Sequence, residues 1–237
     1  MVAQRRVIVP RGFFRAALLS VAFGVAAAVS GCAGGLSSDE LTANSAAGKL
    51  KVTPVELAKA GPLGEKTLGQ AGAPVTVIEY ASLGCPICAV FHQKVFPQFK
   101  KAYIDTGKVF YIYREFPIGP SPAAAAEAAR CVPEKHYFRV NDKFMANKGQ
   151  WNGRQPDRDL LYKIVQDTGV KRSEFDSCMA NQNIKDGIVW VKQRGREFGV
   201  QGTPTFFING QHERGILSYD EMRKLIDPHL QTAAKPA

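Results

Sequence analysis

The sequence predicts an α/β fold whose sheet is interrupted by a helical subdomain. Three observations predict it. Val75–Tyr80 reads as a buried strand, and a helical pattern follows from Ala89 to Tyr103. Val109–Tyr113 is short, apolar and β-branched or aromatic, like an internal strand. A helical stretch over 121–198 then separates these from a Phe-rich strand at 204–208. The first strand, helix and second strand are expected to form a right-handed parallel βαβ unit.

The elements follow in order. Thr53 is placed as an N-cap, with Pro54 at the first helical position and Glu56 at the capping-box position of a short helix that Gly61-Pro62 ends. The folded body is expected to begin near Leu68. Strand 75–81, helix 86–104 and strand 108–114 come next. Phe91, Val95 and Phe99 recur every four residues and give the helix a core face, while Pro97 should kink it. The helical insertion spans about 119–198. Its apolar faces are Ala123–Ala129, Tyr137 to Met145, Leu160 to Val165 and Phe175 to Val191, and Gly169 ends one helix. Trp151 and Trp190 are expected to fill core. Pro204 opens an internal strand, which is unusual because proline cannot donate to the ladder. A cis bond there would turn the chain and leave the Thr203 backbone free for pairing. Asn209-Gly210 signals a hairpin whose return strand begins at Gly215. Ser218 and Glu221 cap a last helix over 218–227.

Cys85-Pro86-Ile87-Cys88 carries the chemistry. Two thiols three positions apart are the parts of a dithiol/disulfide switch, and these two sit at a strand-to-helix turn. A thiolate there faces unpaired backbone N–H groups and the positive end of the helix dipole. Such donors lower a cysteine pKa from about 8.5 toward roughly 3.5–7.5, and only the thiolate attacks a disulfide. Zinc sites also use this spacing. They need four ligands, and although His92 follows Cys88 by four residues, no fourth ligand is evident. No metal and no cofactor are expected.

Residues 1–31 read as an export signal. Arg5, Arg6, Arg11 and Arg15 precede an apolar run from Ala16 to Val29 that ends in small residues. The run is too short to span a bilayer, which takes about 20 residues. Val29-Ser30-Gly31-Cys32 resembles a lipobox, in which Cys32 would carry lipid; ordinary cleavage near Ala26–Ala28 is the alternative. The residues around Arg5-Arg6 fit twin-arginine export poorly. Ala33 to about Leu50 is rich in Gly, Ala, Ser and Asn and reads as a tether. The remainder, 32–67, holds that tether and the short helix. Without the four arginines the net charge falls from +10 to +6. That is an ordinary soluble surface with no long basic run, so nucleic acid is not an expected partner. Five cysteines are an odd number. Cys32 as a lipid site, the Cys85–Cys88 pair and a Cys131–Cys178 disulfide would use all five. Two buried free thiols are the alternative for Cys131 and Cys178.

Together these pieces resemble the thioredoxin superfamily, specifically the DsbA-like thiol–disulfide oxidoreductases of the bacterial periplasm. The residues that carry the resemblance are Val75–Cys88, Arg114-Glu-Phe-Pro117, Cys131 and Gly202–Gly210, and it covers roughly 68–232. The resemblance implies a thioredoxin fold with an inserted helical subdomain. It implies that Cys85 is the exposed nucleophile and Cys88 the buried resolving thiol. Pro204 would be a cis-proline packed against the disulfide, and Thr203, Pro86 and Ile87 would meet substrate. Glu79 falls where the family keeps a buried acid that assists proton transfer at the second cysteine; a partly exposed edge carboxylate is the alternative. An acid inside an apolar strand costs several kcal/mol unless it is used or paired.

One position departs from the pattern. Strong oxidases of the family read Cys-Pro-His-Cys, and this chain has Ile87 in place of the histidine. A protonated histidine would stabilise the thiolate and hence the reduced form. A less oxidising potential is therefore expected here.

Three functions compete. The first is introduction of disulfides into reduced or unfolded exported proteins, with reoxidation by a DsbB-like, quinone-linked membrane oxidase that only the resemblance implies. The second is a disulfide isomerase or reductase of the same fold, toward which Thr203 and Ile87 lean; the roughly 35 residues between Cys32 and Leu68 leave no room for the dimerisation domain such isomerases carry. The third is a non-catalytic lipoprotein using the fold for binding, against which both thiols, Thr203-Pro204 and Glu79 speak. A periplasmic monomer is expected, touching the membrane through a lipid anchor alone.

Overall fold

The computed structural model describes residues 53–233. The export signal, Cys32 and the tether lie outside them. Five strands form one sheet: β1 (Lys66–Leu68), β2 (Val75–Ala81), β3 (Val109–Glu115), β4 (Thr205–Ile208) and β5 (Gln211–Arg214). Their spatial order is β1-β3-β2-β4-β5. β2 and β3 pair in parallel, in register from Val75 opposite Val109 to Ala81 opposite Glu115. The other pairings are antiparallel. This is the α/β fold that the sequence predicts, and the thioredoxin fold that the resemblance implies.

Side-chain alternation divides the sheet between two cores. Val75, Val77 and Ala81 of β2, Val109, Tyr111 and Tyr113 of β3, and Phe206 and Ile208 of β4 face the larger one. Ile78, Tyr80, Ile112 and Phe207 face the smaller one. Glu79 lies in step with Val77 and Ala81, so it points into the larger core, where it is wholly buried.

Helix α1 (Pro54–Ala58) precedes β1, and Thr53 and Glu56 close the expected capping box. The folded body begins here rather than near Leu68. Leu57 is buried in the smaller core. The Arg114 guanidinium donates to the carbonyls of Leu57 and Lys59 and forms an ion pair with Glu65, tying this segment to β3. An acidic–basic pair across 49 residues leaves no local sequence pattern, which is why the boundary reads late.

The helix after β2 is broken, as Pro97 requires. Helix α2 runs Pro86–Lys94, α3 runs Phe96–Phe99, and a π turn covers Lys100–Ile104. The insertion comprises α4 (Pro120–Arg130), α5 (Tyr137–Ala146), α6 (Lys148–Trp151), α7 (Arg158–Val165), α8 (Arg172–Met179) and α9 (Gln182–Glu197). Trp151 fills core, and its indole N–H donates to the Phe144 carbonyl. Trp190 does not; it stands 39 % exposed on α9. The hairpin turn is at Asn209-Gly210, both at positive φ, so β5 returns at once and ends where the return strand was expected to begin. Helix α10 extends beyond the expected end, from Tyr219 to Ala233.

Cys131, just after α4, and Cys178, in α8, form a disulfide across a separation of 47 residues. Converting both to alanine is expected to cost up to about 4 kcal/mol, the loop-closure value for that span. The check is the unfolding free energy from urea titrations, with a steeper slope expected because the unfolded chain without the cross-link exposes more surface.

Candidate functional site

The β2–α2 junction builds the site. Ser82 to Gly84 turn the chain, and the Cys85 N–H donates to the Ser82 carbonyl. Gly84 is required by contact: a Cβ there would lie 2.6 Å from Pro122 Cγ and 2.9 Å from the Asn152 amide. Cys85 is the N-cap of α2 and Pro86 occupies its first turn. Pro there surrenders only an N–H that has no helical partner.

The two thiols are free and differ sharply. Cys85 Sγ is partly exposed and accepts the Cys88 backbone N–H at 3.3 Å. A hydrogen bond from the Cys88 side chain outweighs burial and, with the Thr203 side chain and the N–H groups of Cys88 and Ile87, lowers the Cys85 pKa to about 5. Cys88 is fully buried. Burial pushes its thiol far up, and its bond to Cys85 and the charge of Glu79 act in the same direction. The site therefore holds one sulfur that ionises readily and faces solvent, and one that stays protonated and hidden.

The β4 entry completes it. The Thr203–Pro204 bond is cis. The Cys85 thiol donates to the Thr203 carbonyl at 3.3 Å, and the Thr203 hydroxyl is buried and unpartnered among the described residues. Pro204 is buried and Thr203 half-buried. Ile87, Val90 and Ile118 form an exposed apolar rim; the Ile118 N–H donates to Ser82 Oγ and holds that loop to the turn before Cys85.

Glu79 is no edge carboxylate. It accepts the Tyr111 hydroxyl at 2.5 Å, and both of its oxygens lie 3.2 Å from His92 Nε2. In the sequence His92 stands out only as a candidate metal ligand. Among the described residues no cluster of three metal-ligating side chains occurs. The helical spacing of His92 from Cys88 was visible, but its pairing with an acid in β2 depends on how α2 packs over the sheet. Cys131 and Cys178 belong to the insertion and form their own bridge.

Three comparisons bear on this arrangement. The family model described as Thioredoxin matches residues 63–228. The crystal structure of Wolbachia pipientis alpha-DsbA1 is 33 % identical and superposes with a TM-score of 0.69, covering 76 % of this chain and 98 % of that one. A protein of Rickettsia conorii, provisionally named a protein-disulfide oxidoreductase, is 32 % identical over 179 residues; the match covers 73 % of this chain but only 63 % of that relative's length. Disulfide bond formation protein D of Bacillus subtilis is 25 % identical over 177 residues, which cover 71 % of this chain and 78 % of that protein.

Proposed function

This chain belongs to the thioredoxin superfamily, among its DsbA-like members, and on that premise we propose that it introduces disulfide bonds into exported proteins by dithiol–disulfide exchange at Cys85–Cys88. The observation that carries this reading is the contrast between the two sulfurs. A leaving thiol of low pKa departs fast, and Cys85 ionises at about 5. A substrate thiolate attacks Cys85 Sγ in the oxidised protein, a mixed disulfide forms, and the substrate's second thiolate releases Cys85 as a stable thiolate. The exposed rim of Ile87, Val90 and Ile118 suits apolar segments of unfolded chains. The Thr203 carbonyl beside Cys85 offers a substrate backbone an acceptor.

The same reading places the protein in the periplasm, anchored through lipid at Cys32, as a monomer reoxidised by a DsbB-like quinone-linked oxidase. No helix among the described residues is long and apolar enough to cross a membrane. An isomerase or reductase of the same fold is the second reading, favoured by Ile87, which supplies no cationic donor to the thiolate.

The redox equilibrium of Cys85–Cys88 with glutathione separates the two. An oxidant is expected at about −120 to −180 mV, less oxidising than the upper end, and a value near −230 mV or lower assigns the protein to reduction or isomerisation. In the same measurement Ile87→His is expected to raise the potential by some tens of millivolts, since about 30 mV corresponds to 1.4 kcal/mol.

A further inference from the structure

Exchange at this site moves a proton into a place that water does not reach. When a substrate thiolate attacks Cys85, the Cys85–Cys88 bond breaks and its electron pair leaves on Cys88 Sγ. That sulfur is buried, and burial drives its thiol far up, so it must take a proton as it leaves. The substrate's second thiolate then attacks the substrate sulfur of the mixed disulfide, and Cys85 departs as a thiolate. Two substrate thiols become one disulfide, one proton ends on Cys88 and the other goes to solvent.

His92 lies one turn after Cys88 on α2, with 3 % of its side chain exposed. Its Nε2 contacts both Glu79 oxygens at 3.2 Å. Its Nδ1 makes no hydrogen bond and points toward Asp142 Oδ1 of α5 at 3.7 Å, and the Asp142 side chain is 60 % exposed. Phe96 stacks on the ring at 4.8 Å, and Phe91 and Tyr113 meet it edge-on. The imidazole thus touches the buried acid with one nitrogen and faces a solvated carboxylate with the other, inside an otherwise apolar wall. Imidazole can take a proton at one nitrogen and release it at the other.

We propose that His92 is a positioning residue which, with Asp142, carries between water and Glu79 the proton that Cys88 gains or loses during exchange. The proposal rests on the exchange reaction inferred above. The titratable groups around the ring are Glu79 from β2, Tyr111 and Tyr113 from β3, Asp142 from α5, and Cys88 on its own helix. Burial pushes both tyrosines well above their usual range, so they stay neutral. Burial also opposes a charged imidazole, but the charge of Glu79 and the contact with Asp142 outweigh it and raise His92 to about 9. At neutral pH the ring holds a proton to pass on.

The test is stopped-flow reduction of the oxidised full chain by a dithiol peptide across pH, with His92→Gln and Asp142→Asn. Glutamine keeps a hydrogen bond to Glu79 but cannot titrate. His92→Gln is expected to slow reduction about 100-fold, the lower end of what a positioned acid–base group contributes. Asp142→Asn slows it less. Both alter the pH profile, while the Cys85 ionisation midpoint stays near 5. Wild-type rates and profile in either variant, or slowing with an unaltered profile, overturn the proposal. If His92→Gln does not fold, the exposed Asp142→Asn decides alone. A wild-type chain that exchanges with no dithiol peptide overturns the functional reading instead, before any variant is read.

Discussion

Replacing Cys85 with serine is expected to abolish dithiol oxidation and to remove the thiolate absorbance step whose midpoint lies near pH 5 in the reduced wild type. Cys88→Ala should keep that step but move its midpoint upward, because the hydrogen bond from the Cys88 side chain is the largest contributor to the low value. The sign for stability follows. The folded pKa lies below the value of about 8.5 for a free cysteine. Ionisation therefore stabilises the reduced fold fully above about 8.5, and that contribution is lost as pH falls through about 5. Forming the disulfide removes the thiolate, so the oxidised form gains nothing from it. The reduced protein should thus lose stability relative to the oxidised protein between about pH 8.5 and 5, as read by paired urea-unfolding curves. A reduced form whose stability relative to the oxidised form is flat across that window would show that Cys85 is not the ionised sulfur. Retained activity in Cys85→Ser would remove the exchange mechanism altogether.

Much of this site is legible in the chain because its parts are local. Cys85 caps α2 and most of its donors come from the next three residues, so strand, turn and helix pattern suffice to place it. Thr203-Pro204 is legible through a different rule, the misfit of proline at the start of an internal strand. What escapes is contact across elements. Glu79 stands out as an acid in an apolar strand, yet nothing nearby announces that His92 and Tyr111 close over it, 13 and 32 residues away. The early start of the folded body is hidden for the same reason, since Arg114 reaches back to Leu57 and Glu65. Trp190 misleads because apolar periodicity does not say which helix faces remain open, and Val189 and Trp190 both stand in solvent. The hairpin turn reads correctly, but its return strand is misplaced by a few residues because β5 carries Gln211-His-Glu-Arg214, a polar edge strand with no apolar signal.

Arg130→Met is expected to destabilise the fold by about 3–5 kcal/mol at neutral pH, the cost of stranding one partner of a buried ion pair. Glu115 ends β3 and Arg130 ends α4; the two side chains are 2 % and 6 % exposed. Arg130 donates to Glu115 from Nε and Nη2 and to the Leu63 carbonyl, and the Tyr137 hydroxyl donates to the same carboxylate at 2.7 Å. One cluster therefore joins the sheet, the first two helices of the insertion and the segment before β1. Burial alone would raise the Glu115 pKa, but the Arg130 charge and hydrogen bonds outweigh it and hold it below the usual carboxylate range. In the wild type the pair thus contributes fully above the unfolded value of about 4.3 and is lost as pH falls through the lower folded value. Without Arg130, burial is opposed mainly by the Tyr137 hydrogen bond, and Glu115 takes up a proton more readily. The deficit of Arg130→Met should then be largest at neutral pH and shrink on acidification, when the buried carboxyl becomes neutral. Adding Glu115→Leu should recover most of the loss, because the stranded charge is the source of the penalty rather than the missing attraction. Urea unfolding of the single and double variants at neutral and mildly acidic pH reads all of this. A deficit that does not change with pH, or a double variant no more stable than the single, would mean that packing of the Arg130 stem, not its charge, holds these elements together.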